Sequence, residues 1–165
     1  MTSLSLLKRT CLVLLLGITL SGCDNKAELN GTEATQEIAI LNSSNVAKFK
    51  RVFIHDYIGH RNDLLAQFKI FKKENNAFGF TKYRNYKWTP GYIEKKDYYQ
   101  AVFDKNKSYI KKASLKPLFD TYSNLLFIGV DLKNALLDND DDLLKKAYAE
   151  IKADHATIEK YQSTK

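Results

Sequence analysis

Cysteine, histidine, proline and glycine are all scarce in this 165-residue chain, and each scarcity excludes a class of chemistry. The only two cysteines, Cys11 and Cys23, lie near the N-terminus. The rest of the sequence therefore has no disulfide framework, no paired-cysteine zinc site and no cysteine nucleophile. Three histidines, His55, His60 and His155, show no His-Glu-x-x-His spacing. Asp56 and His60 share a helical face one turn apart, but zinc needs more converging ligands than a pair supplies. No metal and no cofactor is expected.

Seven glycines and two prolines form neither a phosphate-cradling loop nor a Gly-x-Ser-x-Gly elbow. The acidic cluster Asp138, Asp140, Asp141 and Asp142 lacks the pattern of a calcium-binding EF-hand. Leu143 and Ala149 stand where the loop requires Gly and Glu. Capping of a helix N-terminus accounts for these carboxylates instead. Carboxylates that meet only in space leave no sequence mark, so an enzyme ranks third among the readings below rather than being struck out.

Long hydrophobic runs are also missing, with one exception. Lys8 and Arg9 precede Thr10 to Leu20, an apolar run broken only by Gly17 and Thr19. About 20 apolar residues are needed to cross a bilayer, so this run suits a secretion signal rather than a span. It ends in Leu20-Ser21-Gly22-Cys23, which resembles the lipobox of bacterial lipoproteins. The resemblance implies that residues 1–22 are a cleaved signal peptide and that Cys23 is acylated, tying the chain to a lipid bilayer. Asp24 and Asn25, directly after it, resemble the signal that retains such proteins at the inner membrane, on its periplasmic face; in a host that does not read Asp24 in this way, the resemblance implies the outer membrane. Cys11 would leave with the signal.

Residues 23–44 read as a polar tether, because Asp24 to Gln36 carries no apolar periodicity. Glu37 to Leu41 suits a short turn or strand docked on the domain. Residues 45–165 read as one helical periplasmic domain. Val46, Phe49, Phe53, Tyr57, Leu64, Phe68 and Phe71 recur at three- and four-residue steps with His60 in the gap, which predicts a long helix capped by Ser44 or Asn45. Gly59 weakens it, and Asn75-Asn76 with Gly79 mark its end. Asp97 suits the cap of a second helix carrying Tyr98, Val102, Tyr109 and Ile110. Ser114 suits the cap of a third, with Pro117 in its first turn. That helix has two apolar faces, Leu118, Tyr122, Leu125, Gly129, Leu132 and Leu136 on one, and Phe119, Leu126, Val130 and Leu137 on the other. A helix apolar on two sides is central. A last helix starts near Asp140 to Asp142 and carries Leu144, Tyr148, Ile151 and Ile158. The expected fold is all-α, an antiparallel bundle of three to four helices.

Residues 77–93 form the aromatic-rich connection of that bundle. Phe78, Phe80, Tyr83, Tyr86, Trp88 and Tyr92 are interleaved with Lys82, Arg84 and Lys87. The alternation at Phe78 and Phe80, and again at Tyr86 and Trp88, suits a small hairpin turning at Arg84-Asn85, with Pro90-Gly91 as a following turn. Two roles remain open for the aromatics: a partner surface, or a cap over one end of the bundle.

Charge is uneven. Val46 to Lys116 holds 17 Lys and Arg against 6 Asp and Glu, a net of +11, and the flanking segments 24–45 and 117–165 are each −3. Such a basic region suits a solvated face, anionic head groups or an acidic protein. Nucleic acid is not expected in an envelope compartment. The leading reading is a monomeric, non-catalytic interaction module that engages an envelope protein, comparable by class to immunity, exclusion or stress-modulating lipoproteins. The alternative is a structural or assembly factor contacting peptidoglycan or a membrane complex.

Overall fold

A computed structural model describes residues 37–163. The signal, the lipobox and the sorting residues lie outside the described residues. The described residues fold into six α-helices: α1 (Val46–Lys73), α2 (Ala77–Tyr83), α3 (Thr89–Lys105), α4 (Lys107–Lys112), α5 (Lys116–Asp138) and α6 (Asp141–Ser163). One π turn, Arg84–Trp88, joins α2 to α3 without a break, so residues 77–105 act as a single rod. No strand occurs among the described residues, and no helix there is long and apolar enough to cross a membrane.

Side-chain pairings fix the directions of the four rods. Phe49 meets Phe119, His60 meets Tyr122, and Gly129 lies beside Leu64, so α1 and α5 run parallel. The α2–α3 rod runs against both, because Arg84 meets Gly129 near one end and Phe103 meets Phe119 near the other. The α6 helix also opposes α5, since Lys146 pairs with Asp131, Asn124 with Asp154, and Tyr161 with Ser114. The expected all-α antiparallel bundle is therefore the fold. The α5 helix is central, burying Leu118, Tyr122, Leu125, Ile128, Gly129 and Leu132 against its neighbours; of the second expected face Phe119 is buried, Leu126 and Val130 are partly buried, and Leu137 is exposed.

The hairpin expected within residues 77–93 is not there; the segment is helical. A two-residue step turns a helix by about 200°, so neighbours two apart take opposite sides. In a strand they share a face. Phe78 is 67% exposed and Phe80 0%; Tyr86 is 75% exposed and Trp88 3%. The alternation thus sorts outside from inside on one helix. The π turn has its own cause. Phe80, Arg84, Trp88 and Tyr92 all face inward at four-residue steps, and each step overshoots an α-helical turn by about 40°. One wider turn, in which Thr89 N–H reaches back to Arg84 O, absorbs part of that drift. It also precedes Pro90, which has no N–H to donate. Pro90-Gly91 is accordingly the first turn of α3 and not a reverse turn.

Two caps also move. Asp97 lies inside α3 rather than at its start, and Ser114 adopts a left-handed φ of 52° that closes the α4 turn while Leu115 begins α5. Asn45 does stand at the N-cap of α1, but its side chain turns back, accepting from Asn42 N–H and donating to Ile40 O. Asp140 caps α6 as expected, accepting from the amides of Asp142 and Leu143 at 3.0 and 2.9 Å. Residues 39–41 dock on the domain without regular structure. The buried Asn106 amide accepts from Leu41 N–H and donates to Ala39 O, each at 2.8 Å, and Leu41 itself is buried.

Candidate functional site

The nine aromatic and basic residues singled out in 77–93 divide into two sets. Phe80, Arg84, Trp88 and Tyr92 point inward, and Tyr83 lies half-buried with its hydroxyl on Asp63 at 2.5 Å. Trp88 stacks on Tyr92 at 4.7 Å and Tyr92 on Tyr122 at 5.5 Å, forming an aromatic pile between the α3 rod and α5. Their polar edges are satisfied. Trp88 Nε1 donates to His60 O at 2.9 Å, and Tyr92 donates to Tyr122 O at 2.6 Å. These residues hold the bundle together.

The outward set is Phe78, Lys82, Tyr86 and Lys87, joined by Asn85. Phe78, Lys82 and Tyr86 follow at four-residue steps, and the Lys82 ammonium sits 4.7 Å from the centre of the Phe78 ring. From Asn75 to Ile93 there is no Asp or Glu. On the opposite, inward side of the rod lies Arg84, only 8% exposed. Its Nη1 donates to Asn85 Oδ1 at 3.0 Å, its Nε has no acceptor, and no carboxylate among the described residues forms an ion pair with it. Burial pushes its pKa down. A Cβ at position 129 would stand 3.2 Å from Arg84 Nε. Gly129 therefore makes the room in which the guanidinium lies. Asn85 and Gly129 were not selected from sequence; the acid-free stretch around Arg84 was the available signal.

Comparisons with family models, with curated proteins and with solved structures find no match. The reading therefore rests on the residues themselves.

The other polar clusters are structural. Asp56 and His60 do not pair through their side chains: His60 Nδ1 lies 2.9 Å from the Asp56 backbone oxygen and 3.1 Å from the Tyr122 hydroxyl. The Asp56 carboxylate accepts from Tyr99 at 2.9 Å and meets Lys95 at 3.4 Å. Burial raises its pKa, but Tyr99, Lys95 and His55 together outweigh that and leave it lowered. No group of three or more potential metal ligands occurs among the described residues. Ser108 and Lys111 have the Ser-x-x-Lys spacing of some serine nucleophiles, but both are exposed on α4 and no hydrogen bond joins them.

Among the described residues, Asp154 on α6 is the one carboxyl driven strongly upward, to about 6, first by burial. Tyr57 and Asn124 donate to it, each at 3.4 Å, and partly offset the rise. The sign follows from linkage. The folded state holds this proton more tightly than the unfolded chain, so the contribution to stability is full below about pH 4 and is lost as pH rises to about 6. Asp154→Asn keeps the shape and removes the buried charge. It is expected to raise stability at pH 7.5 by up to about 3 kcal/mol and to flatten the change between pH 4 and pH 7. Thermal melts across that range check this, and a variant no more stable than the wild type at pH 7.5 would contradict it.

Proposed function

We propose that this chain is an envelope lipoprotein that works as a non-catalytic protein-interaction module, with the outer face of residues 78–87 as its contact surface. The lipobox resemblance at Leu20 to Cys23 and the sorting resemblance at Asp24 and Asn25 support anchoring on the periplasmic face of the inner membrane. One observation carries the interaction reading. Phe78 and Tyr86 stand largely exposed on an acid-free basic strip, while the inward side of the same rod supplies all the packing. Exposed aromatics beside cations offer large contact area at low entropic cost and are enriched at interfaces.

Other exposed aromatics do not share this setting. Phe127 and Tyr148 are exposed on α5 and α6, but acids stand among the bases of those helices, as Asp131 and Glu150 do beside Lys146. The test separates fold from contact. Phe78→Ser combined with Tyr86→Ser is expected to change stability by less than about 1 kcal/mol, because neither ring is buried. The same protein should lose its formaldehyde-linked adducts in intact cells. Adducts that persist unchanged would defeat the proposal.

A further inference from the structure

We infer that the groove between the start of α1 and the end of α6 holds a long-chain carboxylate of the fatty-acid class. The groove lies at the other end of α1 from Phe68 and Phe71, on which the α2 rod packs. It is therefore independent of the Phe78–Tyr86 face.

Its shape selects the occupant. Ala47, Ile54 and Ile58 fall within about 40° of one another around α1 and make one narrow apolar strip. Tyr161 on α6 forms the facing wall, its ring fixed by the hydroxyl that donates to Ser114 O. One turn beyond Ile58, Arg61 meets His155 of α6 at 3.3 Å and closes that end. The groove holds about 530 Å³, within the range of small-molecule sites. From Ala47 to Ile58 is about 16 Å along the helix, which leaves a cross-section of roughly 30 Å². A partner helix, about 10–12 Å across, needs more than about twice that area. A single extended hydrocarbon chain fits.

Charge supplies the head group. Arg51 and His55 stand on one edge of the strip and Lys50 on the other, and no carboxylate among the described residues lines the groove. The first ten residues of α1, Val46 to His55, contain no Asp or Glu. His55 faces Asp56 at 3.5 Å, and Glu159 on α6 lies 3.3 Å from His155. Arg51 is exposed and forms no ion pair among the described residues. Its planar guanidinium matches the two oxygens of a carboxylate. An apolar strip edged by cations is thus complementary to an apolar chain with one anionic end.

The test uses the full chain in discs of neutral phosphatidylcholine, with oleate as the probe and the methyl resonances of Ile54 and Ile58 as the readout. Oleate that merely enters the bilayer leaves these resonances unmoved. A saturable shift of both is expected. Arg51→Gln should weaken binding about tenfold, the worth of one charge-assisted hydrogen bond, with the melting temperature unchanged because Arg51 is exposed. Oleyl alcohol, the same chain without the charge, should bind about tenfold more weakly than oleate. Resonances that oleate does not move would overturn the inference. So would an Arg51→Gln chain that binds oleate as tightly as the wild type, or oleyl alcohol that binds as tightly as oleate. Discs of phosphatidylglycerol that shift the resonances without oleate would overturn it in favour of a bilayer surface.

Discussion

Cys23→Ala is expected to abolish incorporation of radiolabelled palmitate and to leave the chain as unprocessed precursor. The effect should be all-or-none, because Cys11, preceded by Lys8-Arg9-Thr10, has no lipobox-like residues before it and the sequence holds no third cysteine. A single acyl chain holds a protein only marginally, at about 0.8 kcal/mol per buried methylene, whereas several chains hold it firmly. The lipoprotein resemblance implies several chains on Cys23. Labelling of the variant with palmitate, followed on a gel, checks the result. Label that still enters the Cys23→Ala protein would contradict the anchor.

Phe53→Ala is expected to be the most damaging single truncation in the domain. Phe53 is fully buried and meets Phe49 at 6.0 Å, Tyr99 at 4.5 Å, Phe119 at 5.2 Å and Tyr122 at 5.4 Å between ring centres. It thus joins α1, α3 and α5. Removing a buried phenyl ring costs about 3–5 kcal/mol, a large share of the 5–15 kcal/mol, roughly, that holds a domain folded. A fall of roughly 10–20 °C in melting temperature should follow. Val52→Ala, one position away and half-exposed, should change little. Equal losses at the two positions would mean that α1 presents a different face to the core.

The main rods were legible in the sequence because their apolar residues repeat at helical steps. The run from Val46 to Phe71 gave α1, and the doubled stripe from Leu118 to Leu137 marked α5 as central. Residues 77–93 were harder, since Phe78 and Phe80 can share a face in a strand or oppose each other in a helix. Only packing against α5 and α1 distinguishes the two. Local capping signals failed for a similar reason. Asp97 has the chemistry of a cap, but the π turn carries the helix through from Thr89, and the four-residue steps from Phe80 to Tyr92 point to that turn only once their shared inward side is known. Asp140 succeeded because Asn139, in a left-handed conformation, breaks the chain just before it. Within the candidate site, the residue types were visible but their sides were not. Arg84 reads as one more surface cation until Gly129, 45 positions along the sequence, is seen to make room for it.

The central claim is that the outer face of residues 78–87 meets another protein at the envelope. Photoreactive phenylalanine placed singly at positions 78, 86, 127 and 148 of the lipidated protein, in its own cells, tests it most directly. The account predicts the same discrete protein adduct from positions 78 and 86, and none from 127 or 148. Adducts confined to 127 and 148, or none at any position, would contradict it.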